Sequence, residues 1–461
     1  MRAGWCAEFR MMGMTTRRSL LLGAAGAVTV SGLAGAPDAA LAQGAVIDIT
    51  RARTNPIPIA IPDFAGAGDG QRFGRDIARV VQDNLRNSGL FRPVQRQAFI
   101  QTPEAAAQTP RFQDWRVIGA QALTTGRAEV QGGNLRVEFR LWDVLPENQL
   151  QGTAFTAPTG NWRRIAHLIS DVIYERLLGE KGYFDTRIVY IAESGPRDRR
   201  LRRLAIMDQD GENNAFLTDG REAALTPRFH PSADRVAFMS YQSREQPRVV
   251  LFDLNTRGQQ VLGNFPGMTL SPRFAPDGRS VVLSAMRGGD ANIYTVDLAS
   301  RRERQLTSGN ALDVSPCYSP DGTQIVFNSD RGGDQQLYVM DANGGGIRRI
   351  SFGRGRYATP VWSPRGDLIA FTRFGGGSFA IGVMRPDGSG ERILSEGWKM
   401  EAPSFAPNGR MLVFGRETRA TDSRGGGFSA RIHTIDIAGF NERPLPTPTD
   451  ATDPTWSPLL S

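Results

Sequence analysis

Ser315-Pro-Cys-Tyr-Ser-Pro-Asp-Gly322 decides the fold, because the chain repeats its core five more times in altered form. The counterparts are Thr226-Pro-Arg-Phe-His-Pro231, Ser271-Pro-Arg-Phe-Ala-Pro276, Thr359-Pro-Val-Trp-Ser-Pro364, Ala402-Pro-Ser-Phe-Ala-Pro407 and Asp453-Pro-Thr-Trp-Ser-Pro458. Each reads Pro-x-aromatic-x-Pro, and their starts differ by 45, 44, 44, 43 and 51 residues. That period suits four short strands with their turns, which is one propeller blade. Within a unit, Pro320-Asp-Gly322 marks a turn, Ile325–Ser329 an alternating strand and Leu337–Asp341 a third strand. A single sheet of this kind cannot bury both faces, whereas blades stacked around an axis can.

The sixth motif has only three residues after it. Its missing outer strands lie before the first motif, at Ile188–Ala192 and Leu204–Asp208. The two ends must therefore pair, closing a ring of six blades with no open sheet edge. If Pro-x-aromatic begins each innermost strand, the preceding loops rim the central channel. Those loops hold Arg221 to Leu225, Met268 and Thr269, Asp313 and Val314, Arg356 and Tyr357, Lys399 to Glu401, and Asp450 to Thr452. Loops between second and third strands open on the same face and carry Arg244, Arg287, Arg331, Arg373 and Arg424. An Arg-rich rim suits an acidic partner. The same residues equally suit ordinary solvated loop charges.

Upstream, residues 57–182 read as a small α/β unit. Ile57–Ile61 is a short apolar strand, and residues 72–88 place Phe73, Ile77, Val80, Val81 and Leu85 on one helical face, with Gly89 as the stop. Leu135, Val137, Phe139 and Leu141 alternate with charged residues as a half-buried strand. Asn161 caps a second helix that ends at Gly179. Gly66, Gly68 and Gly70 lie between the first strand and the first helix, but their spacing matches no phosphate-cradling loop. The expected fold is an α+β two-domain chain, with a small N-terminal α/β domain and a six-bladed β-propeller over 185–461.

Residues 1–42 have the layout of an export signal. Arg17-Arg18 precede an apolar stretch from Leu20 to about Leu33, and Ala40-Leu41-Ala42 supplies small residues before a cleavage expected between Ala42 and Gln43. Thr16-Arg-Arg-Ser-Leu20 partly matches a twin-arginine signal. A membrane anchor is the rival, disfavoured by Gly23, Gly26, Thr29, Ser31 and Gly32, and Met14 is an alternative start. Cleavage would remove Cys6 and leave Cys317 alone, so no internal disulfide is expected. Residues 43–56 form a polar lead without a period.

The net charge is +8, almost all positive charge is Arg, and Lys occurs only at Lys181 and Lys399. The arginines are interspersed with acids, so the basic stripe that nucleic-acid binding needs is missing. Catalytic signals are likewise missing. There is no G-x-S-x-G elbow, no H-E-x-x-H, and the three histidines, His167, His230 and His433, are scattered. No cofactor or metal set is expected. Carboxylates in the channel, with Glu401, Asp313 and Asp450 at its rim, keep a metal ion open as an alternative.

With an export signal, a small α/β domain and six such blades, the chain resembles the TolB family of the Tol–Pal system. Asn84-Leu-Arg-Asn-Ser-Gly-Leu-Phe91 and Leu178-Gly-Glu-Lys-Gly-Tyr-Phe-Asp-Thr-Arg-Ile188 carry the resemblance more specifically than the blade repeat. It implies a monomeric, non-enzymatic periplasmic adaptor. Such proteins bind the lipoprotein Pal through a propeller face and TolA through the mature N-terminus, and support outer-membrane constriction during division. The rim residues implied for Pal are Arg221, Leu225, Met268, Thr269, Asp313, Val314, Arg356, Tyr357, Lys399, Glu401 and Asp450. Gln43, Val46, Ile47, Asp48 and Ile49 would serve TolA, in a segment that orders on binding. The competing class is a propeller-type hydrolase or peptidase accessory domain.

Overall fold

Each Pro-x-aromatic-x-Pro segment closes the innermost strand of a four-stranded antiparallel sheet in the computed structural model. The structure describes residues 55–196, 199–241, 247–262, 268–419 and 428–460. It also describes the backbone of a short strand, Thr29–Ser31, and backbone alone at 268–270. The export segment outside Thr29–Ser31, the residues Gln43, Val46, Ile47, Asp48 and Ile49, and the loop residues Arg244 and Arg424 lie outside the described residues.

Five blades are built from consecutive strands. The sixth combines Asp450–Trp456, as its innermost strand, with Arg187–Ser194, Leu201–Asp208 and Ala215–Phe216. Trp456 pairs with Ile188 and Asp450 with Glu193. The closure expected from the repeat count is thus present, and the six inner strands contact one another in a complete circle. Apolar clusters fill the spaces between blades. Phe238, Val250 and Phe252 meet Ile191 and Leu204, while Phe327 and Met340 meet Val282 and Ile293. Burial between blades stabilises the ring at roughly 25 cal/mol per Å² of apolar surface removed from water.

One expectation is corrected. Pro-x-aromatic ends the inner strand instead of beginning it. The inner strands start at Ala223, Met268, Val314, Arg356, Lys399 and Asp450, so most of the expected rim-loop residues are strand residues. The cause is a bulge in every blade. The residue before the first motif proline is left-handed in all six, with φ between 46° and 57° at Thr226, Ser271, Ser315, Thr359, Ala402 and Asp453. The register shifts at that point in each blade, as between Leu225 and Arg228 or Glu401 and Ser404. Proline disfavours the right-handed helical region for the residue before it. The extra residue lets the strand continue while re-aiming its side chains.

The N-terminal domain is a mixed sheet with two long helices packed together on it. Ile57–Ala60 runs parallel to Phe91–Pro93 and to Ala122–Gln131. Asn134–Asp143 and Asn148–Pro158 extend the sheet antiparallel, and Thr29–Ser31 pairs with the outer edge at Ala154–Thr156. The helices are Asp69–Asn87 and Trp162–Leu178, the second ending in left-handed Gly179. No described helix is long and apolar enough to cross a membrane.

The two domains share one apolar cluster, in which Tyr174, Tyr183 and Phe184 pack with Met411, Val413 and Trp456. Polar locks surround it. Glu180 pairs with Arg365 and Arg410, which stand in inner turns of two adjacent blades. Burial opposes its charge, but the two guanidinium groups prevail and hold the Glu180 carboxyl below its ordinary value. Asp171 accepts backbone N–H bonds from Phe184 and Asp185 at 2.8 and 2.9 Å. A Cβ at Gly182 would collide with that carboxylate. These contacts seat the domain against the turns that follow the Pro-x-aromatic segments, leaving the opposite, rim face of the ring uncovered by it.

Candidate functional site

The rim face is formed by the starts of the inner strands and by the hairpins between second and third strands. Inner-strand side chains alternate on the pleat, so the candidate residues divide into exposed and buried groups. Arg221 and Arg356 are exposed, each near an acid: Asp219 at 3.2 Å and Asp334 at 3.7 Å. Glu401 is also open. Partial desolvation still holds its carboxyl above the ordinary value, with Lys399 opposing this shift and Asp453 and Glu417 adding to it. Lys399 bonds to Glu417, and Asp450 accepts from Arg200 at 2.7 Å. Leu225 and Val314 are half-buried. Met268 and Thr269 pair through their backbones with Met286 and Ala285.

Asp313 and Tyr357 are not surface groups: both are fully buried. Asp313 accepts from Arg331 at 2.7 Å. Tyr357 donates to Glu391 at 2.9 Å and packs on Phe371. Burial, with the Glu391 carboxylate beside it, pushes the Tyr357 hydroxyl up to about 12. These two residues can shape the rim through Arg331 and Arg373 but cannot present a contact surface. The hairpin arginines are also engaged. Arg287 pairs with Glu303, Arg331 with Asp313, and Arg373 with Glu391 and Glu396. Among the described residues, the hairpin arginines of the expected Arg-rich rim are therefore paired within their own blades.

The sequence reading missed the aromatic groups on this face. Trp398, in the turn before the inner strand of the fifth blade, stacks on Phe428 with ring centroids 4.7 Å apart, and Arg419 lies over the indole. In the neighbouring blade Phe374 stacks on Phe379 at 5.5 Å. A cavity of about 530 Å³ opens beside them, lined in part by Arg354, Arg373 and Glu396. Half-buried Trp, Phe and Arg in one area are the residue types that anchor protein interfaces. The available sequence signal was an aromatic residue just before the inner strand at Trp398 and just inside the strand at Phe428.

His230, Ser232 and Asp234 meet in one turn. The Ser232 hydroxyl donates to Asp234, and His230 Nε2 faces the Gly278 carbonyl oxygen at 3.1 Å. His230 Nδ1 also lies 2.6 Å from the Ser232 hydroxyl and accepts the Ser232 backbone N–H, so the three side chains tie one turn together. One metal-type group occurs among the described residues: His167, Asp208 and Asp210, with ligand atoms within 4.8 Å of one another. Arg163 already pairs with Asp210, and Asn84 and Gln209 complete a hydrogen-bonded lock between helix and propeller. Cys317 is buried and packs among the inner strands.

Known proteins give the fold a family. A model described as the TolB beta propeller domain matches residues 174–460, and one described as the TolB amino-terminal domain matches residues 45–150. The chain is 53% identical over 457 residues to the Tol-Pal system protein TolB of Gluconobacter oxydans, covering 97% of each. It is 61% identical over 416 residues to the protein of that name from Paramagnetospirillum magneticum, covering 90% of this chain and 93% of the relative. The crystal structure of TolB from Acinetobacter baumannii superposes with a TM-score of 0.75 at 28% identity, covering 88% of this chain and 97% of that one. The two-domain architecture and the match along nearly the whole length agree, and the chain belongs to the TolB family of Tol–Pal system proteins.

Proposed function

We propose that this protein is a non-catalytic periplasmic adaptor. It docks the lipoprotein Pal on the rim face of the propeller and engages TolA through the mature N-terminal segment, Gln43 to about Arg53. In this role it supports outer-membrane integrity and constriction during division. The observation that carries the reading is the Trp398–Phe428–Arg419 stack beside Phe374 and Phe379, on the face the N-terminal domain leaves uncovered. Aromatic anchors flanked by arginines suit a partner that brings apolar and acidic groups together. Membership of the Tol–Pal system supports the choice of partners.

Titration calorimetry with purified Pal tests the docking face. Trp398→Ala is expected to weaken Pal binding by about 2 kcal/mol or more, the magnitude of an interface anchor. Unchanged affinity would reject this face. Deleting residues 43–53 is expected to abolish TolA binding while leaving Pal binding intact, and retained TolA binding would reject the N-terminal assignment.

A further inference from the structure

The bore has a second end, where the Pro-x-aromatic segments converge around a cavity of about 440 Å³. The residue after the first proline of each motif lines it: Arg228, Arg273, Cys317, Val361, Ser404 and Thr455. The sequence repeat treats this as a variable slot. In the ring it becomes a belt of six side chains, with two arginines from adjacent blades and four small neutral residues.

Neither arginine is neutralised in the manner of the rim arginines. Arg228 is only 8% exposed. Its Nη1 donates to the carbonyl of its own neighbour Pro227 at 2.6 Å, and its buried Nε has no hydrogen-bond partner. Arg273 is half-buried, and its guanidinium makes no hydrogen bond or ion pair among the described residues. Asp453 is the acid that acts on Arg228, from beyond ion-pair distance, while Arg273 repels it. Burial and that repulsion press the Arg228 guanidinium down to about 9, which still leaves it a cation at neutral pH. Burial shifts Arg273 in the same direction. A buried charge without a partner costs several kcal/mol, and proteins ordinarily pair it. One buried and one half-buried cation side by side, in a cavity with room for a hydrated ion, call for an anion.

We propose that this end of the bore is a binding site for a tetrahedral oxyanion, phosphate or sulfate, held between the Arg228 and Arg273 guanidinium groups. Planar guanidinium forks match oxyanion geometry and can each donate two parallel N–H bonds. Ser404 accepts the Trp456 backbone N–H at 3.1 Å, which leaves its own hydroxyl proton to donate. The site lies at the opposite end of the bore from the rim aromatics, so it does not depend on the docking reading.

Inorganic phosphate titrated into the purified protein by calorimetry, against chloride at equal ionic strength, tests the site. One phosphate per chain is expected, together with a higher melting temperature in phosphate than in chloride. Arg228→Gln and Arg273→Gln should each weaken phosphate binding by about tenfold or more, the loss of one charge-assisted contact. A crystal soaked in tungstate should show the metal's anomalous signal between the two guanidinium groups, a readout that requires no variant to fold. No heat and no melting shift beyond that of chloride would overturn the proposal. So would unchanged affinity in folded Arg228→Gln and Arg273→Gln proteins, or tungstate density only elsewhere.

Discussion

Trp456 Nε1 donates a 2.8 Å hydrogen bond to Thr186 Oγ1, joining the last inner strand of the ring to the residue before its first outer strand. Ser457 Oγ accepts the Arg187 backbone N–H at 2.9 Å one step further on. The chain thus closes through side chains as well as through the strand ladder. Trp456→Phe keeps most of the apolar volume and removes the bond, so it should lower stability by about 1–3 kcal/mol in denaturant unfolding. Deleting residues 450–461 should do far more, since it removes the inner strand of a whole blade and bares the edge of Arg187–Ser194. Loss of the cooperative melt and association on size exclusion are the expected outcome. A truncated monomer with an unchanged melt would contradict the closure.

The left-handed residues before the motif prolines store strain that substitution can read. Ser315 has φ 55°. Glycine has no steric objection there, whereas a β-branched residue adds strain, which the ring accommodates at Thr226 and Thr359. Ser315→Gly should leave stability within about 1 kcal/mol of the parent, because relief of strain and the greater freedom of the unfolded chain offset one another. Ser315→Val should cost about 1–3 kcal/mol. Chemical denaturation of the pair measures the difference.

Tyr357 and Trp398 are both aromatic residues near the rim, but they occupy opposite sides of its surface. Tyr357→Phe removes a buried bond to Glu391 and should reduce stability by about 1 kcal/mol, with Pal affinity unchanged. Trp398→Ala should have the converse profile. Comparing melting and calorimetry for both variants separates support from contact.

Acid sensitivity should trace in part to Glu442. Burial works against its charge, but His433, Ser395 and Arg416 bond to the carboxylate and hold it down to about 2. A carboxyl depressed in the folded state adds stability above its unfolded value, ordinarily 4.5. That stability is lost as pH falls from there through about 2. Glu442→Gln should therefore be less stable than the parent at neutral pH and should flatten the stability curve across this acid window. Parallel curves for the two proteins would show that the carboxylate is not responsible.

The domain junction offers a fifth measurement. Glu180 bridges Arg365 and Arg410 at partly exposed positions. Glu180→Gln should therefore cost only about 1 kcal/mol, well short of a fully buried pair. The expected sign of weaker docking is faster proteolysis at the 178–186 junction, with little change in propeller melting.

Much of the architecture was legible in the residues alone. Proline, glycine and alternating apolar residues act over a few positions, so the motif spacing reported the number of blades. The position of the sixth motif at the chain end reported the closure. The long helix faces at Phe73, Ile77 and Leu85 were readable for the same reason, and those side chains are buried. What the spacing could not show was which way each inner-strand side chain turns. A bulge of one residue reverses the alternation on that strand, and its left-handed residue carries no glycine to announce it. Tertiary structure alone therefore decided that Asp313 and Tyr357 are buried, that Trp398 and Phe428 stack at the rim, and that Arg228 and Arg273 meet in the bore. Asp313–Arg331, Tyr357–Glu391 and Trp398–Phe428 lie 18 to 34 positions apart within one blade, and Arg228 and Arg273 lie 45 positions apart in adjacent blades. Local sequence determines the strands, but only closure of the whole ring determines which side chains share a cavity.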